Sequence, residues 1–565
     1  MNSTKQWKIL NAFKIYSSNF KIEDIRKILL ENRGLKTKEE IDVFLNPKLE
    51  DVTVEYVGIN TKQLSKAIKR IYNAIEKKEK IVVYGDYDVD GITGTAIVWE
   101  VLYGLGADVT PYIPHRIDEG YGLSEKGISN IQSQISNIKL IITVDNGIVA
   151  NEAVEFANKQ GIDVIITDHH TVSESVPNAF AIVHTTAVCG AAVGWMLTKA
   201  ISNDKILNTK YQIPADHLSL VALATVADLV PLIGANRTLL TYGLKFLKQT
   251  NRPGLLALFE EAKIDPENID VYSIGHMIAP RLNAMGRLES AMDSLRILCT
   301  KDRLRAKVLA DTLGRINQQR QLLTFSTVEH AISQVKNQKS KVKSKLLFIS
   351  HETYEEGIIG LVAGKLVETF YVPAIVLSRG EKVSKASARS IVGFNIIEAI
   401  RKASSLLINA GGHPMAAGFT VETARLDELQ KALEEIVDAT MDNGFLTRTL
   451  KIDCELPIDV INQSMFENLQ QLSPFGMGNP EPIFASEVVI AEIKQIGADG
   501  KHLKMKVSPS SSLRTNSKIG EAIAFGMGDL FGTLKKGDKV KIAYSISENT
   551  WNGKTNLQLK IKDIH

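Results

Sequence analysis

The feature that most narrows the fold is a texture repeated between residues 81 and 170. Short β-branched apolar runs, each stopped by Gly or Asp, alternate with segments of helical spacing. The runs are IVVYG (81–85), ADVTPYI (107–113), LIITV (140–144) and DVIIT (163–167). They are brief and apolar on both sides, as strands buried between two layers must be. Segments 93–105 and 151–160 place their apolar residues with helical periodicity. Strands that alternate with helices predict a parallel sheet covered on both faces. Ligands of such sheets bind beyond the carboxyl ends of the strands. The residues just after each run are therefore where chemistry is expected.

The first such position reads Gly85-Asp86-Tyr87-Asp88-Val89-Asp90-Gly91. In an extended segment alternate side chains share a side, so three carboxylates would converge, and a divalent cation is the ordinary remedy for their repulsion. The string matches the first half of an EF-hand loop, but the twelfth position is Ile97 rather than Glu, and a strand precedes it. A turn that only caps the next helix needs one Asp, not three. Asp145-Asn146-Gly147 follows the third run, Asp168-His169-His170 follows the fourth, and Asp228 falls late in the helical stretch ALATVADLVPL. Singly, each is an ordinary turn, cap or helix-end residue. Together they predict a metal site rich in oxygen with one or two imidazoles, a set that suits Mn²⁺ or Mg²⁺ better than zinc or copper. Two ions sharing a carboxylate, ~3.5–4 Å apart, can drive an in-line displacement at phosphorus. The reading is phosphoester hydrolysis.

Other residues suit anions. Arg116 sits in the Gly-rich segment PHRIDEGYG (114–122), and Arg281, Asn283 and Arg287 sit in PRLNAMGR (280–287). Ser387 and Arg389 pair a hydroxyl with a guanidinium able to grip phosphate in a bidentate way. His413 follows two glycines, where backbone can approach a ligand closely.

Five domains are expected. Residues 1–75 read as a polar helical region, 76–250 as the parallel α/β domain, and 251–345 as helices ending in a connector. Residues 346–445 read as a second, smaller α/β domain, and 450–565 as five short alternating strands suited to an OB-fold barrel. Phe484, Phe525 and Trp551 are candidate stacking residues there, with barrel core as the competing role. Residues 301–345 carry eleven Lys or Arg against three Asp or Glu, while the whole chain is near balance at +3. Net charge therefore neither demands nor excludes nucleic acid. Three scattered cysteines argue against a disulfide framework, and no secretory signal or membrane span is evident, so a cytoplasmic setting is expected.

GDYDVDG, VDNG, TDHH and TVADLVPL stand in the order of the four motifs of the DHH phosphoesterase superfamily. APRLNAMGR, SARSIVGFN, GGHPMAAGF, LSPFGMGNPEPIF and WNGKTNLQLKIKDI then resemble the RecJ branch, 5′→3′ exonucleases specific for single-stranded DNA. The resemblance implies a parallel-sheet DHH domain and a smaller α/β DHH-associated domain joined by a long helix, plus a C-terminal OB-fold barrel. It implies two Mn²⁺ ions (Mg²⁺ being the alternative) on Asp86, Asp88, Asp90, Asp145, His169 and Asp228, with His170 beside them. It places Arg116, Ser387 and Arg389 on a 5′-terminal phosphate and His413 near the scissile phosphate. It adds single-strand-binding protein and a RecQ-type helicase as partners, and a role in repair and recombination. Shorter relatives that act on oligoribonucleotides or cyclic dinucleotides lack residues like 450–565, and scaffolds that have lost catalysis lack the metal carboxylates present here. The chain departs from the branch in two places. The stretch after the third motif is short, and Tyr354-Glu355-Glu356-Gly357 stands where relatives often carry Trp-His.

Overall fold

The structure is a computed structural model describing residues 5–12, 15, 20–203, 213–337, 344–510, 520–551 and 553–565. It divides into two compact units: residues 47–445, and residues 1–46 together with 446–565. Strand β1 (Gln6–Ile9) belongs to the latter.

The larger unit opens with a five-stranded sheet, all parallel: β2 (Lys80–Tyr84), β3 (Val109–Tyr112), β4 (Ile138–Val144), β5 (Asp163–Asp168) and β6 (Ala181–His184), in the order β3-β2-β4-β5-β6. The first four are the predicted runs. The last, AIVH, is too short to stand out from a loop in sequence. Side chains alternate between two cores: Ile81 and Val83 face one layer of helices, Val82 and Tyr84 the other. The chain reverses direction across the sheet between β2 and β4, and this switch point opens a crevice at their carboxyl ends.

The helix after β2 spans Val89–Gly104, four residues earlier than its apolar spacing indicates. Asp88 starts it: its Oδ1 accepts from the N–H groups of Asp90 (3.0 Å) and Gly91 (3.2 Å). The GDYDVDG segment is thus a strand-to-helix turn and not the extended run expected, because the cap makes helix the better use of those donors.

Helices make up most of the described residues between 190 and 337 and end in a 35-residue rod, Arg303–Asn337, about 50 Å long at helical rise. The rod leads to a mixed sheet of β7 (Leu347–His351), β8 (Ala374–Ser378), β9 (Val383–Arg389), β10 (Asn409–His413) and β11 (Ala416–Glu422), in the order β10-β11-β9-β8-β7. Only β7–β8 is parallel.

In the second unit, β12 (Thr449–Ile452) pairs in parallel with β1. A strand here departs from the helical reading of the first 75 residues, since a four-residue run finds its partner 443 positions away, beyond any local signal. After β13 (Cys454–Glu455) come β14 (Phe484–Ile496), β15 (His502–Pro509), β16 (Gly520–Ala524), β17 (Lys539–Trp551) and β18 (Lys554–Ile564). They run β14-β15-β16-β18-β17, and β17 pairs back to β14, closing the barrel. Within β14–β18, the parallel contact β16–β18 among antiparallel ones is the OB arrangement. Among the described residues no helix is long and apolar enough to cross a membrane.

Candidate metal centre and anion pocket

Four element ends deliver the acidic cluster. Asp86 and Asp88 lie between β2 and its helix, and Asp90 in the first helical turn. Asp145 follows β4 in a left-handed conformation (φ 64°), which turns its carboxylate back toward the crevice. His169 follows β5, and Asp228 ends the helix His217–Ala227. Asp90 is fixed by the start of the helix Gly190–Asn203: the N–H groups of Gly190 and Ala191 donate to its two oxygens, both at 2.7 Å. A Cβ on Gly190 would stand 2.6 Å from that of Asp145, so only glycine lets this helix approach.

Nε2 of His169 lies 3.1 Å from Asp145 Oδ1 and 3.6 Å from oxygens of both Asp90 and Asp228. Three groupings bring candidate ligand atoms within 4.8 Å of one another: Asp86, Asp88 and Asp145; Asp90, His169 and Asp228; and Asp145, His169 and His170. Asp86 Oδ1, Asp145 Oδ1 and His169 Nε2 are buried and make no aligned hydrogen bond. Leaving such groups unpaired is costly, and divalent cations at the groupings that contain them would satisfy them.

The electrostatics agree. Burial, then the neighbouring Asp88, pushes Asp90 up to about 7. Burial, then Asp90, pushes Asp228 up to about 9. Asp86 and Asp145 are raised well above the carboxylate range, by burial first and adjacent carboxylates second. Burial and His170 bring His169 down to about 4, leaving its ring neutral and able to coordinate. The donor set, hard oxygens with one neutral imidazole, fits Mn²⁺ or Mg²⁺.

Asp168 and His170 play a different part. Asp168 is buried at the end of β5, where Oδ2 accepts from Ile148 N–H (2.9 Å). Its Oδ1 accepts from the backbone N–H of His169 (2.7 Å) and lies 2.8 Å from His170 Nδ1. The ring of His413 lies nearly parallel to that of His170, with centroids 6.4 Å apart.

Beside the cluster is a cavity of about 510 Å³ lined by Arg116, Arg287, Lys385, Ser387 and Arg389, among others. The Arg116 guanidinium lies over the Tyr87 ring, 4.8 Å from its centroid. Arg287 donates to Gly357 O (3.0 Å), and Arg389 to Ser387 Oγ (3.0 Å) and Ala388 O (2.8 Å). These acceptors are all neutral. Burial, then the nearby Arg116, brings Arg287 down to about 10, and the same two causes lower Arg389. A Cβ on Gly360, at the start of the helix Ile359–Phe370, would stand 2.8 Å from Arg389 Nη2, so glycine leaves this wall open to the guanidinium.

Several sequence candidates are placed elsewhere. Arg281 turns away from the cavity to pair with Glu261 and donate to Met277 O (2.7 Å). Asn283 accepts from Val89 N–H (3.0 Å), bracing the strand-to-helix turn instead of facing the cavity. Phe484 is fully buried against Tyr544, which makes it barrel core and removes it as a stacking surface. Phe525 is 56 % exposed, edge-on to His502. The Trp551 side chain lies outside the described residues. Sequence reading missed Lys385, which pairs with Glu356 at 2.7 Å, and gave Tyr121 no role although it lines the cavity. Neither has a spacing signal. At the departure from the branch motif, Tyr354 is buried with its hydroxyl 3.0 Å from His330 Nδ1.

Family models cover most of the chain: the DHH family N-terminal domain matches residues 80–225, the DHHA1 domain 339–439 and the RecJ OB domain 452–563. The single-stranded-DNA-specific exonuclease RecJ of Bacillus subtilis is 35% identical over 547 residues, covering 95% of this chain and 67% of the relative. That of Salmonella typhimurium is 31% identical over 561 residues, 95% of each. The chain belongs to the RecJ family. Among solved structures, RecJ of Thermus thermophilus in complex with Mn²⁺ aligns with TM-score 0.83 at 28% identity, over 100% of this chain and 80% of that one. The Mg²⁺ complex of the same RecJ aligns with TM-score 0.75 at 27% identity, over 99% and 78%. RecJ architecture thus accounts for all three matched regions.

Proposed function

We propose that the chain is a metal-dependent exonuclease specific for single-stranded DNA, working 5′→3′ and hydrolysing phosphodiester bonds in repair and recombination. The observation that carries this reading is the adjacency of two unneutralised clusters, one of buried ligand atoms with no partners and one of guanidiniums bonded only to neutral groups. Asp86, Asp88, Asp90, Asp145, His169 and Asp228, whose ligand atoms gather in overlapping groupings, would hold the divalent ions. When bound, such ions supply the charge that activates a water and offsets negative charge on the phosphoryl oxygens. Mn²⁺ is the favoured ion, with Mg²⁺ the alternative; both occur in the RecJ complexes of Thermus thermophilus.

Arg116, Ser387 and Arg389, with Arg287, take the 5′-terminal phosphate, and the fixed offset from pocket to acidic cluster sets the step along the strand. His170 and His413, stacked at the mouth of the cluster, flank the scissile phosphate. The barrel, with Phe525 as an exposed ring, grips the trailing strand. Single-strand-binding protein and a RecQ-type helicase are partners that family membership alone suggests, and a cytoplasmic location agrees with a DNA substrate.

The test is digestion of 5′- and 3′-labelled single strands with Mn²⁺, beside duplex and chelator controls. Mononucleotide release from the 5′ end of single strands alone is expected. Release from 3′ ends, equal attack on duplex or activity in chelator would overturn the reading.

A further inference from the structure

The basic pocket holds one group of the wrong sign for an anion site. Arg116, Arg287, Lys385 and Arg389 line the cavity, and a single carboxylate, that of Glu356, stands among the lining residues with them. Its Oε2 lies 2.7 Å from Lys385 Nζ. Arg287 and Arg389 donate to neutral oxygens and Arg116 lies on a ring, so the carboxylate has claimed the lysine and left the guanidiniums free. Glu356 belongs to residues 354–357, where the chain departs from the RecJ branch.

Backbone geometry sets both partners. Pleating turns Lys385, Ser387 and Arg389 of β9 to the same side, where all three line the cavity. The lysine therefore extends the row of hydroxyl and guanidinium that suits a phosphate. On the facing wall, Glu356 precedes Gly357, whose carbonyl oxygen accepts from Arg287 (3.0 Å). A Cβ on Gly357 would collide with the Arg287 carbonyl oxygen, so only glycine lets this loop close on the arginine and carry Glu356 to the cavity.

The lysine and glutamate side chains are 43 % and 35 % exposed. An ion pair so open to solvent is weak, and a stronger anion can take the lysine from it. A terminal phosphate is such an anion, with about −1.5 to −2 charge at pH 7 and three acceptor oxygens. Stepwise digestion also needs a pocket that lets go. Each cut leaves a mononucleotide whose own 5′-phosphate must depart before the next strand end enters. Four unopposed cations would retain it. A carboxylate that competes for one of them weakens that hold and spares the guanidiniums.

We propose that Glu356 is a positioning residue that holds Lys385 as the pocket's own counter-ion, so that the terminal phosphate is gripped by the arginines and released after each cut. The proposal rests on the reading of this cavity as the seat of the 5′-terminal phosphate.

Binding of 5′-phosphorylated and 5′-hydroxyl oligothymidylate to the full chain in chelator isolates the pocket from cleavage. Glu356→Gln keeps the shape of the side chain and removes its charge. The ratio of the two affinities should rise roughly five-fold over wild type, a modest gain that suits an exposed pair. With Lys385→Met already in place, the same substitution should gain less than about two-fold, because the lysine it would free is gone. During digestion with Mn²⁺, inhibition by thymidine 5′-monophosphate should tighten by a similar factor in Glu356→Gln, while inhibition by thymidine stays unchanged. A wild-type affinity ratio in Glu356→Gln would overturn the proposal. Equal gains with and without Lys385 would show the carboxylate acting on the phosphate directly, and would overturn it too. If wild type and Arg389→Ala both bind the two ends alike, the pocket reading itself falls and takes the proposal with it.

Discussion

Three charged clusters in the larger unit invite comparison. Around Asp145, buried carboxylates are raised by one another and hold ligand atoms without partners. Around Arg389, guanidiniums depress one another and bond neutral oxygens. Around Glu100 the charges close on themselves: Arg252 donates to both Glu100 oxygens (2.8 and 2.7 Å) and reaches Asp216 (2.7 Å), and His217 Nε2 lies 2.8 Å from Glu100. All three are largely buried, so burial does not separate a site from a strut. Charge balance does. An unfinished cluster, built of charges of one sign, calls for a counter-ion, whereas a finished one, built of opposite charges, neutralises itself.

That contrast can be broken in several ways, the largest effect first. Asp90→Ala removes a proposed ligand and the acceptor of two N–H groups. Cleavage should fall by roughly 10³-fold or more, the scale of losing a core catalytic group, while single-strand binding persists. Turnover within about ten-fold of wild type would remove Asp90 from the ion site. Glu100→Gln tests the finished cluster. Burial opposes its charge, but His217 and Arg252 override this and hold Glu100 at about 2, against an ordinary 4.5. A depressed carboxylate stabilises the fold above its unfolded pKa and loses that contribution as pH falls toward the folded value. Wild type should therefore exceed Glu100→Gln by up to about 3 kcal/mol near neutrality, with the gap closing between pH 4.5 and 2. Denaturant titrations across that range would show it, and a pH-independent gap would contradict the paired state.

Divalent metal should act in the opposite sense on the unfinished cluster. Mn²⁺ at a hundred times its Kd should stabilise the chain by about 2.7 kcal/mol over the chelated form. Calorimetry in Asp90→Ala should show much of that shift gone. The smallest effect is expected at the basic pocket. Arg389→Ala should erase a roughly ten-fold preference for 5′-phosphate over 5′-hydroxyl ends, about 1.4 kcal/mol. Equal rate ratios for wild type and variant would mean that the end phosphate sits elsewhere.

Much of this was legible in the chain. The strand ends that carry Asp86, Asp145 and His169 were visible because parallel strands advertise themselves by short apolar runs, and the crevice lies at their carboxyl ends. The barrel was visible from alternation alone. Other features were not. Arg281 and Arg287 lie six residues apart in one motif, yet a nearby Glu261 claims the first and leaves the second in the cavity. Phe484 and Phe525 are both barrel aromatics, and only the direction each faces separates core from surface. The strand Gln6–Ile9 has no local signature because its partner is at the other end of the chain.

The sequence by itself determined which strand ends present acidic and imidazole side chains, because periodicity and turn residues are local properties. Tertiary structure decided which charges remain unpaired. Pairing depends on neighbours brought together from distant parts of the chain, as Arg252 meets Glu100 across 152 residues and Arg116 approaches Arg389 across the cavity.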